Sequence, residues 1–236
     1  FSMNDNTTGH SNTAVGRGAL DANTTAVSNT AIGFCAMTSA TTGGDNTALG
    51  ECALKTLTTG TENVAIGRRA GEAMTNGATN TTIGKSSGSN ITSGFNNTTL
   101  GNNSGADALR SITSGDNEIV IGNNSSGSAF IKIDWTVTSD LRDKTEIESV
   151  PHGLNFVNQI TPIKYRFKTS RENDTPNGVT RYGFKAQEIL ALEGENPVLV
   201  DNGNTDNLSL TSAYLLPVLV NAIKELKTEI DELKKK

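Results

Sequence analysis

A five-residue phrase returns six times along the first half of this chain at an unvarying interval. Asn12-Thr13-Ala14-Val15-Gly16 is followed by Asn29-Thr30-Ala31-Ile32-Gly33, Asn46-Thr47-Ala48-Leu49-Gly50, Asn63-Val64-Ala65-Ile66-Gly67, Asn80-Thr81-Thr82-Ile83-Gly84 and Asn97-Thr98-Thr99-Leu100-Gly101, each 17 residues after the last. A fixed interval constrains the fold more than composition does. Repeats this short cannot bury their own faces, so they stack as coils of a solenoid. A flexible linker needs no register, so the abundance of Gly, Asn, Ser and Thr is read as ordered repeats and not as disorder. Each coil is predicted to hold a short strand, a Gly bend, a second short segment and a polar turn. Val15, Ile32, Leu49, Ile66, Ile83 and Leu100, just before the glycines, are expected to form an apolar ladder facing the interior. Three positions after each glycine stand Ala19, Ala36, Ala53, Ala70, Ser87 and Ser104, small side chains that suit a narrow interior. Gly122 follows Gly101 by 21 residues, so 117–127 reads as a modified last coil. Phe130 to Trp135 then alternates as a capping strand over about 129–137 should.

Composition narrows the functional classes. Only 34% of the 236 residues are hydrophobic, which leaves a solenoid with a thin core and favours association of several chains, with three-fold association preferred. The net charge of −5 comes without a basic cluster interleaved with aromatics, so nucleic acid is not an expected partner. No apolar run approaches the ~20 residues of a membrane-spanning helix, so no membrane insertion is expected. Two Cys and two distant His, His10 and His152, match no metal-ligand spacing, and neither metal nor cofactor is expected. Cys35 and Cys52 occupy the same repeat position and would lie one above the other. In-register stacking suits a disulfide poorly, and both are read as small residues filling equivalent sites. The sequons at Asn23, Asn80, Asn90 and Asn97 follow from a repeat built of Asn and Thr, which are turn formers and ladder residues here. The chain opens on Phe1, and it is read as the C-terminal part of a longer protein.

At Ser139 the repeat is replaced by ordinary mixed sequence, which divides the chain into a repeat module, 1–138, and a second domain, 139–236. Leu154 to Ile160 has helical spacing and stops at Pro162; Ile163 to Phe167 alternates as a strand. Arg171 to Val179 reads as a loop, Arg181 to Phe184 as the partner strand, and Ala186 to Leu192 as a helix. Leu216, Leu219, Ile223, Leu226, Ile230 and Leu233 alternate gaps of three and four, a heptad seam on a terminal coiled-coil-like helix. Read without its surroundings, Ser139 is a helix N-cap ahead of a solvated first turn.

Three ordered stretches change that reading. Ser139-Asp140-x-Arg142-x-Lys144, Gly153-Leu154-Asn155-Phe156-Val157-Asn158-Gln159-Ile160-Thr161-Pro162-Ile163-Lys164-Tyr165-Arg166-Phe167 and Tyr182-Gly183-Phe184-Lys185-Ala186-Gln187-Glu188-Ile189 resemble, in the family's order, the intramolecular chaperone of phage tailspikes and fibres, the S74 peptidase domain. Upstream, Asn-Thr-Ala-Ile-Gly-x-x-Ala resembles the left-handed β-roll repeats in the heads of trimeric autotransporter adhesins, and similar repeats occur in viral fibre shafts. The resemblance implies a mainly β shaft of 17-residue coils, a trimeric left-handed β-roll, followed by an α+β chaperone domain. It implies a homotrimer on a virion, in which the last domain drives assembly of the shaft and then frees itself between Thr138 and Ser139. Ser139 would be the nucleophile and Lys144 its base, a Ser/Lys dyad acting once in cis with no external substrate. One departure bears on this chemistry: the family often has an apolar residue before the lysine, and here it is Asp143. A carboxylate there favours the charged ammonium over the free amine a base requires; Arg142, by pairing with Asp143, would relieve it. The alternative is a permanent, non-cleaving trimer clamp on a structural or carbohydrate-binding shaft, with a host-surface receptor or glycan as partner.

Overall fold

The computed structural model describes residues 1–107, 109–126, 130, 132, 137–169, 171–203 and 205–235. The chain divides into two compact units, Phe1–Ser126 and Gly127–Lys236. Of the expected capping strand, about 129–137, residues 129, 131 and 133–136 lie outside the described residues.

The first unit is a β-solenoid. Seven three-residue strands, β1 (Thr13–Val15), β2 (Thr30–Ile32), β3 (Thr47–Leu49), β4 (Val64–Ile66), β5 (Thr81–Ile83), β6 (Thr98–Leu100) and β7 (Ile119–Ile121), form one parallel sheet in sequence order. The register is that of the repeat, Ala31 opposite Ala48 and Ile32 opposite Leu49. The glycine after each strand is required by backbone approach: Gly67 has φ +130°, and a Cβ there would lie 2.6 Å from the Gly84 carbonyl of the next coil.

The structure corrects the expected inward face. The middle residue of each strand enters the coil: Ala31, Ala48, Ala65, Thr82, Thr99 and Val120 are buried. The larger residue after it points out, with Val15 56% and Leu49 44% exposed. Ile66 and Ile83 are half-buried on that same outer side. The expected small column Ala19, Ala36, Ala53, Ala70, Ser87, Ser104 is fully inside. Interior bulk comes from two further columns that exchange roles along the shaft. Leu20, Met37 and Leu54 give way to Gly71, Gly88 and Gly105, while Asn23 and Ala40 give way to Leu57, Met74, Ile91 and Ile112. A Cβ on Gly71 would meet Leu54 Cδ2 at 2.8 Å, and one on Gly88 would meet Ile91 Cδ1 at 3.0 Å. The interior volume is thus kept constant while the side that fills it changes.

The asparagine of the phrase is the polar staple of the coil. Asn29, Asn46, Asn63, Asn80 and Asn97 are buried. Asn63 Oδ1 accepts the Asn80 backbone N–H at 3.0 Å, and Asn63 Nδ2 donates to Gly77 O at 2.8 Å and to Asn46 Oδ1 at 3.0 Å. Asn46, Asn80 and Asn97 repeat this pattern, so each of these amides joins three levels of the stack. Asn63→Ala strands the Gly77 carbonyl and the Asn80 N–H away from water, each worth about 1–3 kcal/mol. The variant is expected to melt well below Thr59→Ala, a change at an exposed turn residue, in thermal denaturation followed by circular dichroism.

The second unit is a small α+β region. It holds α1 (Leu154–Gln159), an antiparallel hairpin of β8 (Ile163–Lys168) and β9 (Pro176–Gly183), α2 (Ala186–Glu193), a short pair β10 (Val200–Asp201) and β11 (Ser209–Leu210), and α3 (Leu215–Leu233). β9 begins inside the stretch expected as a loop, because its pairing with β8 runs on to Lys168 opposite Pro176. Phe156, Ile189, Leu199, Val200, Leu215 and Val218 make the core. Two carboxylates pin the chain around it: Glu193 accepts the N–H groups of Val198, Leu199 and Val200, and Glu225 accepts that of Leu154 at 2.6 Å. α3 buries Leu215, Val218 and Ala222 and leaves the heptad seam from Leu216 to Leu233 exposed. No helix among the described residues is long and apolar enough to cross a membrane.

Candidate active site

The local structure after Thr138 is set by one carboxylate. Asp140, in extended conformation (φ −67°, ψ 136°), caps a single 3-10 turn, Leu141–Asp143, through Oδ1, which accepts the Arg142 N–H at 2.9 Å. An acidic side chain bonding the backbone two residues on is a local, sequence-encoded turn. The same carboxylate is gripped by the Arg142 guanidinium, Nε to Oδ1 at 3.0 Å and Nη2 to Oδ2 at 2.6 Å. Arg142 holds the Asp140 carboxyl below its usual range, by its side-chain hydrogen bonds first and its backbone N–H second. The turn closes with Lys144 N–H donating to Leu141 O at 3.2 Å, and Lys144 itself is extended again.

This compact turn brings the chain back on itself. Lys144 Nζ lies 2.8 Å from Ser139 Oγ, across five residues of sequence. The spacing alone did not dictate that contact; the turn does. Two expectations change. Asp140, not Ser139, is the capping residue, and Arg142 pairs with Asp140 and not with Asp143. The Asp143 carboxylate forms no ion pair among the described residues, and the hydroxyl of Ser139 is the partner of Lys144. The role of Asp140 was missed in the sequence, although Ser-Asp-x-Arg carries the signal: an Asp two residues before a basic side chain can bond both its N–H and its guanidinium.

Residues 137–150 are solvent-exposed throughout. An amine beside a hydroxyl can take its proton and make it a nucleophile, provided the charged form of the amine is disfavoured by burial or a cationic neighbour. His152 is committed elsewhere, stacked on Phe156 with ring centroids 4.1 Å apart. No group of three or more His, Cys, Asp or Glu that could hold a metal ion occurs among the described residues.

Residues 139–199 match the family model of the chaperone of endosialidase, peptidase S74. No curated protein and no solved structure matches the chain. The match begins on Ser139 itself, at the start of the turn that carries the Ser139 to Lys144 contact. With a seven-stranded β-solenoid ahead of it in the sequence, the matched segment fits the chaperone domain of a tailspike or fibre.

Proposed function

We propose that this chain is the C-terminal part of a trimeric viral fibre or tailspike whose last domain aligns and trimerises the shaft, then releases itself at the Thr138–Ser139 bond. The observation that carries the reading is the 2.8 Å contact between Lys144 Nζ and Ser139 Oγ at the first residue of the family match. Because the nucleophile and the leaving nitrogen belong to the same residue, the chemistry is an acyl shift. Lys144 takes the Oγ proton, Oγ bonds to the Thr138 carbonyl carbon, the C–N bond breaks, and the Ser139 nitrogen receives the proton. The product is an ester between the Thr138 carboxyl and the Ser139 hydroxyl, which water hydrolyses to two chains.

Assembly supplies what the single chain lacks. Ser139 and Lys144 are exposed, and covering them by neighbouring copies would disfavour the ammonium and turn the amine into a base. Each unit presents an apolar stripe that water does not stabilise. On the shaft it is the outer side of β1 to β7, Val15 through Leu100 to Ile121; on α3 it is the seam Leu216, Leu219, Ile223, Leu226, Ile230 and Leu233. Stripes of this length mark surfaces between chains. The copy number of three and the virion location rest on the resemblance. The exposure of the dyad also favours a second reading, in which the domain stays attached as a permanent clamp.

Intact mass measurement of freshly expressed protein tests the proposal: the expected species are residues 1–138 and residues 139–236. In hydroxylamine the first should gain a hydroxamate at Thr138, the trapped product of the ester. A single uncut chain from an assembled protein would support the clamp and reject self-release.

A further inference from the structure

Charged columns border the apolar stripe on the outer side of the shaft. Around β4 the burial alternates: Asn63 and Ala65 are buried, whereas Glu62 and Arg68 at the two ends are exposed, with Val64 and Ile66 half-buried between them on the outer side. Because the phrase recurs every 17 residues, each end continues as a column along the shaft. The column before the strands carries Asp45 and Glu62 as its only charges, and the column after the glycines carries Arg17, Glu51, Arg68 and Lys85. Arg68 Nε donates to Glu51 Oε2 at 3.3 Å, one coil away in the same chain, and its two terminal nitrogens make no hydrogen bond among the described residues. Asp45, Glu62 and Lys85 form no ion pair among the described residues. The stripe thus runs between an acidic edge and a basic edge.

Edges of opposite sign decide how a second copy can lie against this face. A rotation axis along the shaft keeps every coil level with its counterpart and sets the acidic edge of one copy against the basic edge of the next. A two-fold axis across the shaft instead sets each edge against itself, acid on acid, and like charges brought together at an interface are strongly disfavoured. In the first arrangement Glu62 and Arg68, which flank the same strand, meet at one level. Asp45 then meets Glu51, whose charge Arg68 offsets. A guanidinium carries enough N–H donors for both glutamates.

We propose that Arg68 bridges two copies of this chain, holding Glu51 of its own shaft and Glu62 of the next copy, and that this pairing of unlike edges makes the shafts associate parallel and level. The bridge rests on the association of shafts proposed above and selects its orientation. Exposed ion pairs add little affinity. The apolar stripe therefore supplies the attraction, and the charged edges reject the arrangements in which they would meet their own kind.

Charge swaps in the full-length protein, read by sedimentation equilibrium at low salt, test the bridge. Within one chain Glu62 and Arg68 stand about 20 Å apart along an extended strand, too far to pair. Glu62→Arg and Arg68→Glu should each weaken association at least about tenfold, the size of one like-charge contact at an interface. The double variant should restore it, which only a contact between copies explains. At about 1 M salt, where screening acts within about 3 Å, each single variant should move back toward the parent. All three should keep the parental β signal in circular dichroism, because both positions are exposed. Parental association of either single variant, or a double variant no better than the single ones, would overturn the bridge and leave shaft association standing. A parent that sediments as a monomer would overturn both.

Discussion

Chains carrying Ser139→Ala are expected to stay whole under conditions in which the parent separates into residues 1–138 and 139–236. Removing Oγ removes the proposed nucleophile for the Thr138 carbonyl. Lys144→Ala removes the amine 2.8 Å from that oxygen and should slow cleavage by about 10²–10⁴-fold, the usual contribution of a positioned base, while leaving assembly unchanged. Asp140→Ala releases both the turn and Arg142, and a misplacement of about 1 Å between reacting groups costs on the order of a hundredfold. Asp140→Asn keeps an acceptor for the Arg142 N–H, so its defect should be smaller. The Asp140 carboxyl is depressed by Arg142. The Asp140–Arg142 pair is therefore fully formed above the ordinary carboxylate range and is lost only as pH falls through the lowered value. Cleavage time courses on denaturing gels report all four variants. A parental rate in Asp140→Ala would show that the turn does not hold the dyad, while fragmentation of Ser139→Ala would reject the dyad itself.

Aspartate at two adjacent positions of one strand is expected to have opposite consequences. Ala48 is fully buried in the coil, and a carboxylate there has no partner, a cost of several kcal/mol repeated in every copy. Ala48→Asp should fail to form the solenoid. Leu49 is on the outer side, where the single coil tolerates a charge but an interface between apolar stripes does not. Leu49→Asp should keep the β signal in circular dichroism and lose association in sedimentation. Parental association of Leu49→Asp would mean that this face is not where copies meet.

The period was plain in the sequence because a solenoid writes its rise into the chain, one phrase per coil. The inward face was not. Hydrophobicity points to Ile66 over Ala65, yet the interior is so narrow, with Leu20, Met37 and Leu54 already filling it, that the strand brings in nothing larger than Ala, Thr or Val. The exchange of Leu54 for Gly71 against Ala40 for Leu57 is a volume relation between columns, which no single repeat displays. At the candidate site, the motif and its place in the chain point to Ser139 and Lys144 as residues to look for. Their contact depends on the Asp140 turn, a hydrogen-bonding geometry and not a spacing, whereas Asp143 adjoins the lysine in sequence and stays out of that contact.

Whether the C-terminal domain assembles the shaft before leaving it is read from the oligomeric state of residues 1–138 made in two ways. Aligning several thin coils in register is a non-local, slow step, which a folded C-terminal assembly makes effectively intramolecular by raising local concentration. Sedimentation of that shaft should give a stable trimer when it comes from the full-length gene, and aggregated or unfolded material when the gene stops after Thr138. Equal trimers from both genes would contradict the account.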